Sequence, residues 1–201
     1  MVTDEDILIA FFTKHPEMLG WRGKSVPNIN TSVGQETIRQ KYRDSKNKIL
    51  ELKTPSTIPD SAVSVLLQAT YHYSDDEVVA IKNQHLQSMA AENMVGELLE
   101  RYIDQTLSSH GWVRCWGEIV KSIDFIKIDN GDFVKLQIKN RDNSENSSSK
   151  AIREGTDILH WFRTFSRTGK TNWDAFPDSS CRHKLSEEGF EKYIKITFNP
   201  S

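Results

Sequence analysis

The sequence predicts an α/β or α+β fold, a mixed central β-sheet flanked by helices, with a helical N-terminal part. Apolar residues recur at helical spacing through the first half of the chain. The second half contains the run Asp-Asn-Gly-Asp, residues 129–132, between two apolar stretches, which is a strong signal for a β-hairpin. The 201 residues suffice for one compact domain. We expect a helical region, residues 1–88, to pack on a core formed by residues 89–201.

Five helices are predicted in the first half. Asp4 can cap the first helix, and Thr31 with Ser32 gives a start signal for the second. Gly111 fits the position just after the fifth helix, where glycine is favoured. The predicted spans are 4–12, 31–52, 60–72, 75–88 and 89–108.

The second half opens with strands at residues 112–128 and 133–140, joined by the hairpin turn. A polar stretch, residues 141–149, follows the second strand directly, and binding loops are often found at such places. A helix is expected over residues 150–166, and a loop follows it. Residues 186–198 are predicted to close the chain as a helix, or as a helix leading into a strand.

The composition excludes several classes of protein. No run of 18 apolar residues occurs, so a membrane-spanning helix is not expected. The N-terminus is acidic where a signal peptide would be basic. Two cysteines cannot form a disulfide framework, and they suit a reducing cytoplasm.

The charge is unevenly distributed, although the net charge is only -2. Residues 1–110 carry a net charge of -4, and residues 111–201 carry +2. Residues 160–184 hold five lysines and arginines against two acids. Because partners respond to the local potential, this basic segment is either an ordinary solvated face or a surface for nucleic acid.

The predicted hairpin brings three polar residues together. With Asn-Gly as a two-residue turn, Asp124 falls opposite Gln137, with Cβ atoms roughly 4.5–5.5 Å apart. Lys139 projects from the same face as Gln137, because side chains alternate along a strand. The opposite face is expected to be buried, and it carries Ile123, Phe125, Leu136 and Ile138.

These three residues suit phosphodiester chemistry. Mg²⁺ prefers oxygen ligands, and Asp124 can offer a carboxylate and Gln137 an amide carbonyl. A bound cation polarises a phosphodiester and activates water, while Lys139 can orient or deprotonate that water. The alternative is a polar hairpin surface with no chemical role, which the spacing alone does not exclude.

Two elements resemble the signature of the PD-(D/E)XK nucleases: Asp124 before the hairpin turn, and Gln137-Ile138-Lys139 after it. Ile123 stands where that family has proline, and Gln137 stands where it has its second acid. The chain as a whole is similar to the SinI/AvaII-type restriction endonucleases. The resemblance implies a restriction-endonuclease-like core, cleavage of double-stranded DNA by a homodimer with Mg²⁺, and recognition of GGWCC. It also implies a bacterial, cytoplasmic enzyme with a partner methyltransferase that protects the host DNA.

A neutral glutamine at position 137 should weaken binding of a cation, so either another acid compensates or the scissile phosphate contributes. Gly96, Glu100 and Arg101 resemble the G-x-x-x-E-R run on the helix before the sheet in many nucleases of this superfamily. Glu100 lies on the flank of that helix and is the preferred candidate; Glu118 is the other. The alternative for Glu100 is a surface acid paired with Arg101 or a lysine.

Further residues are predicted to contact DNA. Side chains of the types that read base edges follow the catalytic lysine, and serines and a lysine suited to phosphate come after them. The alternative is a flexible polar loop without a role in recognition. The candidates for base edges are Asn140, Arg141, Asn143, Glu145 and Asn146; those for phosphate are Ser147, Ser148 and Lys150. Further contacts are expected from Arg163, Arg167, Lys170 and Asn172, and from Trp173 as a stacking aromatic.

Two other functions remain open at this point. A structure-specific nuclease, such as a junction resolvase or repair enzyme, would share the catalytic residues but should have a shorter and more basic loop after the lysine. A non-catalytic DNA-binding module would retain the fold, with Gln137 as a mark of lost activity.

Overall fold

The computed structural model describes residues 2–56, 58–142 and 155–199. In this part of the chain, five α-helices accompany a four-stranded sheet of mixed topology, which confirms the predicted fold class. The helices are α1 (Asp4–Lys14), α2 (Ser32–Lys46), α3 (Ser61–Tyr71), α4 (Asp75–Leu107) and α5 (Glu187–Phe198), and the strands are β1 (Trp112–Arg114), β2 (Phe125–Asp129), β3 (Asp132–Arg141) and β4 (Leu159–Thr164).

The chain forms two compact units. Residues 49–97 form one unit, which is helical. Residues 1–48 and 98–201 form the other, which contains the sheet. The expected boundary after residue 88 lies within α4, which is one continuous helix where two were predicted.

Local signals set most helix starts. Thr3, rather than Asp4, caps α1, because its hydroxyl accepts from the Asp6 N–H while the Asp6 carboxylate accepts from the Thr3 N–H. Thr31 caps α2 as expected. That helix ends at Lys46, before the predicted end at residue 52.

The strand order is β1-β2-β3-β4, with antiparallel pairs except for β3 and β4, which are parallel. The helix predicted over residues 150–166 is therefore wrong where the structure describes it, because Leu159–Thr164 is a strand. A parallel strand covered on both faces lacks polar alternation, and the apolar spacing in this segment fits a helix equally well.

The single strand predicted over residues 112–128 is also wrong. A 3₁₀ turn, Trp116–Glu118, separates β1 from β2. Gly117, Glu118 and Ser122 have positive φ angles of 86°, 54° and 55°, which a continuous strand does not contain.

Both faces of the sheet are covered. On one face, Ile126 and Phe133 pack in a cluster with Phe11 of α1. Ile123 also belongs to this cluster, whereas the sequence predicted it on the opposite face. On the other face, Phe125, Leu136 and Ile138 are buried as expected. Trp161 there packs against Phe176 and Trp173. Among the helices that the structure describes, none is long and apolar enough to cross a membrane.

Candidate active site

The hairpin has the predicted register. Asp129 pairs with Asp132, and the pairing continues to Phe125 opposite Leu136. The register follows from the turn, because Asn130 and Gly131 have φ angles of 50° and 83°, as a tight two-residue hairpin requires.

Asp124 precedes β2 by one residue and is tied to both neighbouring segments. Its N–H donates to the Leu136 carbonyl at 2.9 Å, and its carbonyl accepts from the Cys115 N–H at 2.8 Å. Its carboxylate reaches across to β3, where Oδ2 accepts from the Ile138 N–H at 2.6 Å. The main chain therefore fixes the orientation of this carboxylate between two strands.

Asp124 is partly buried, with two cations among its neighbours. Burial raises the pKa of its carboxyl above the ordinary value, although the Ile138 N–H and the charges of Lys139 and Arg114 act in the opposite direction. Ionised Asp124 is consequently held at a cost in free energy, which a bound cation would offset.

Gln137 lies in the centre of the sheet. It is only 2 % exposed, and its Oε1 is buried without a hydrogen-bond partner among the residues that the structure describes. The sequence suggested an exposed hairpin face here, but β4 pairs with the other edge of β3 and places His160 beside Gln137. A buried acceptor without a donor is unfavourable, so this oxygen is available to a ligand.

Glu100 points towards the same region, and Arg114 is one of its partners. Arg114 of β1 donates through Nε and Nη2 to Glu100 Oε2, at 3.1 and 2.8 Å. Glu100 and Asp124 both help to keep the buried Cys115 thiol neutral: after burial, their negative charges contribute most to raising its pKa. The two carboxylates are thus within electrostatic reach of one thiol.

The sequence reasoning did not identify Arg114. This residue is 4 % exposed and lies over the Trp116 ring, with 3.7 Å between its guanidinium carbon and the ring centroid. An arginine between two tryptophans, in a short apolar run, could have indicated a buried ion pair. Glu118, the other candidate acid, is exposed and pairs with Arg22 at 3.0 Å.

The residues present fit a hard divalent cation with few protein ligands. Asp124 offers a carboxylate, and Gln137 offers the buried acceptor that lacks a donor. Within the ranges that the structure describes, no group of three or more His, Cys, Asp or Glu residues could hold a metal ion.

Comparison with known proteins supplies the class of enzyme. The family model described as SinI restriction endonuclease matches residues 1–199. The chain belongs to the SinI restriction endonuclease family. It is 43 % identical over 194 residues to the type II restriction enzyme Eco47I of Escherichia coli, covering 94 % of this chain and 83 % of the relative. It is 41 % identical over 195 residues to the type II restriction enzyme SinI of Salmonella infantis, covering 94 % and 84 %.

Membership in the SinI family confirms the class expected from the sequence, a type II site-specific deoxyribonuclease acting on double-stranded DNA. It also favours restriction over the structure-specific nuclease and the non-catalytic module. The catalytic and DNA-contacting roles of individual residues remain predictions.

Exposed basic residues of this SinI-family chain lie at the carboxyl ends of β3 and β4. Arg141 ends β3, while Arg167 and Lys170 lie on a tight turn after β4. The Phe165 N–H donates to the Lys170 carbonyl at 2.9 Å, and Asp142 Oδ1 accepts from the Ser166 N–H at 2.8 Å. These contacts hold the turn beside the end of the strand that carries Lys139.

Other residues predicted to contact DNA have partners within the protein. Asn140 Oδ1 accepts from Arg163 Nε at 2.9 Å, and Arg163 also pairs with Glu187. Asn172 Nδ2 donates to the Phe162 carbonyl at 3.1 Å. These three side chains are therefore placed to shape the strand ends more than to reach into a groove.

Trp173 is buried, so the expectation that it stacks on DNA does not hold. It is 7 % exposed, packs against Trp161 and Tyr102, and donates from Nε1 to Glu187 Oε2 at 3.0 Å. The remaining candidates lie outside the described residues: Asn143, Glu145, Asn146, Ser147, Ser148 and Lys150.

Proposed function

We propose that this restriction endonuclease hydrolyses phosphodiester bonds within GGWCC in double-stranded DNA, using Mg²⁺ held by Asp124 and Gln137. The observation that carries the proposal is the buried Gln137 Oε1, which has no donor, one strand away from a carboxylate fixed by the main chain. A neutral amide replaces the second acid of the family signature and can still supply an oxygen ligand.

The roles of the side chains follow from their positions. Asp124 uses Oδ2 to accept from the backbone, so Oδ1 is the oxygen proposed to bind the cation. When bound, Mg²⁺ polarises the scissile phosphate and stabilises the charge that develops on it. Lys139, two residues beyond Gln137 on the same face, orients the attacking water and offsets that charge.

Glu100 is proposed to supply the negative charge that Gln137 lacks. Arg114 binds one oxygen of Glu100 and fixes its orientation, and the charge of Arg114 also favours the ionised form of Asp124. Both roles depend on a guanidinium that is itself immobilised over Trp116.

Recognition is proposed to come from residues that follow the catalytic strand. Arg141 and the segment containing Asn143, Glu145 and Asn146 have side chains of the types that read base edges. Arg167 and Lys170, with Ser147, Ser148 and Lys150, are proposed to contact phosphates. GGWCC reads the same on both strands apart from its central pair, so a two-fold homodimer is proposed as the active form.

The biological setting is proposed from the class of activity. A restriction enzyme needs a cognate methyltransferase to protect the host DNA at the same site. The bacterial cytoplasm is the proposed location, because the DNA substrate is there and both cysteines are free.

Digestion of plasmid DNA tests this proposal. The wild-type protein with Mg²⁺ should give discrete fragments whose ends lie within GGWCC, and none with EDTA. Lys139→Ala should reduce the cleavage rate by ~100-fold or more while leaving binding of the specific duplex within a few-fold. Lys192→Ala, an exposed lysine on α5, is the matched control and should cut normally.

Three results would contradict the proposal. Discrete fragments with other ends would refute GGWCC but not the catalytic residues. Normal cutting by Lys139→Ala would refute the role of that lysine. Binding of the duplex without cleavage in Mg²⁺ or Mn²⁺ would refute the catalytic reading of the site.

A further inference from the structure

Helix α3 lies in the helical unit formed by residues 49–97, which contains none of the proposed site residues. One side of α3 faces α4. Lys82 Nζ donates to Ser64 Oγ, and Gln68 Nε2 donates to Asp75 Oδ1 at 2.6 Å. Leu67 is half-buried on this side.

The other side of α3, in contrast, is apolar. Ala62, Val65, Leu66 and Ala69 recur at i, i+3, i+4 and i+7, and all four are exposed. Val65 and Leu66 are each 65 % exposed. No charged residue occurs from position 61 to 74. An uncharged apolar stripe on the exposed side of a helix is normally covered, so the outer side of α3 is expected to have a partner.

The apolar surface continues around α3. Val63 and Tyr71 of α3, and Val79 of α4, are 45 %, 62 % and 56 % exposed, and Tyr71 stacks on Tyr73 with 5.6 Å between ring centroids. Together these side chains present on the order of 400 Å² of apolar surface. A standard interface of about 800 Å² per partner is roughly 60 % apolar, so it needs about the same apolar area.

Charge argues against DNA as the partner. The unit of residues 49–97 carries two lysines against seven acids, a net charge of -5, whereas the rest of the chain carries +3. A surface on such an acidic unit repels phosphate, so the covering partner is expected to be a protein.

We propose that the outer face of α3, with Val79, is the surface through which two copies of this chain associate. A two-fold arrangement would bring α3 and α4 of each copy together as four helices, burying the apolar stripe in a self-complementary contact. The proposal rests on the proposed function only for the need for two copies; the choice of surface rests on exposure and charge.

Sedimentation velocity of the wild-type protein at micromolar concentrations, together with variants, tests this surface. The wild type should sediment as a dimer of the 23.1 kDa chain. Leu66→Glu should raise the dimer dissociation constant by ~100-fold or more, because it buries a charge at the centre of the contact. Val33→Glu is the matched control, since Val33 is an exposed apolar residue of α2 and should leave the dimer intact.

Hydrogen exchange of the wild type gives a second measurement that needs no variant. Amides of residues 61–71 should lose protection as the protein is diluted through the dissociation constant, while those of β3 should not. Protection of α3 that does not change on dilution would overturn the proposal.

Other outcomes separate this inference from the proposed function. A wild type that is monomeric, or a Leu66→Glu protein that remains dimeric, would overturn the surface even if the enzyme cuts GGWCC. A dimer that depends on Leu66 but never cleaves DNA would support the surface and refute the proposed function.

Discussion

Asp124 serves the fold and the proposed chemistry with different oxygens. Its Oδ2 completes the hydrogen bonding of β3 by accepting from Ile138, and burial raises the pKa of its carboxyl. A group whose pKa is raised on folding contributes stability at low pH, and this contribution is lost as the pH rises through the folded value. At neutral pH without metal, the ionised carboxylate therefore destabilises the native state.

Asp124→Asn should accordingly raise the melting temperature in metal-free buffer at pH 7, because the amide oxygen can still accept from Ile138 without carrying charge. Cleavage should fall by ~100-fold or more, because a ligand for the cation is lost. Differential scanning calorimetry with EDTA and with Mg²⁺ measures the melting temperature, and plasmid digestion measures the cleavage rate. Mg²⁺ should stabilise the wild type and not the variant; equal stabilisation of both would refute Asp124 as a ligand.

Gln137→Glu should have the opposite effects on the stability of the metal-free protein and on its response to metal. A second carboxylate in a site this buried should reduce the stability of the metal-free protein by about 2 kcal/mol. The increase in melting temperature on adding Mg²⁺ or Mn²⁺ should exceed that of the wild type, because the ligand set gains a charge. An unchanged response to metal would argue that Gln137 does not face the ion.

At this scale, the sequence predicted which polar residues meet but not how buried they are. Asp124, Gln137 and Lys139 follow from a turn and the alternation of a strand, which are local properties. The burial of Gln137 depends on β4, and the partner of Glu100 depends on Arg114 of β1, and both contacts join segments distant in the sequence.

Among the elements, α4 and β1 are joined through Glu100 and Arg114. Arg114→Met should destabilise the protein by about 3 kcal/mol, because it removes a buried guanidinium that binds a partly buried carboxylate. Glu100→Gln should lower stability by less. In the double variant the two losses should not add, giving a coupling of about 1–3 kcal/mol by urea unfolding. Additive losses would show that this pair does not connect the helix to the sheet.

Elements with strong local signals were predicted well. The turn at Asn130 and Gly131 fixed the hairpin register, and Thr31 marked the start of α2. Strand β4 was missed, because its identity comes from pairing with β3 and not from its own pattern. The break between β1 and β2 was missed for a similar reason: positive φ angles at Glu118 and Ser122 leave no clear trace in the sequence.

At the scale of the whole molecule, Asp178 joins the C-terminal segment to the sheet. Burial alone would raise the pKa of Asp178. The hydrogen bonds from Lys127, Ser180 and Trp112 instead hold this pKa well below its usual range. A depressed pKa contributes stability above the unfolded value, and this stability is lost as the pH falls through the folded value.

Asp178→Asn should therefore reduce the free energy of unfolding by about 2 kcal/mol at pH 7. The difference from the wild type should stay constant down to about pH 5 and narrow below the ordinary aspartate pKa of about 3.9. Urea unfolding at several pH values measures it. Asp174→Asn, an exposed acid nearby, is the control and should match the wild type; a difference for Asp178→Asn that grows towards acid would contradict the sign.

The segment between β3 and β4 is held at both ends. Asp142 binds the turn after β4 at one end, and Asp157 pairs with Lys135 of β3 at 2.8 Å at the other. Along the chain, Lys135 precedes Gln137 and Lys139, and Asp142 follows them. We therefore expect that residues 143–154 can be exchanged without disturbing the register of β3 and β4.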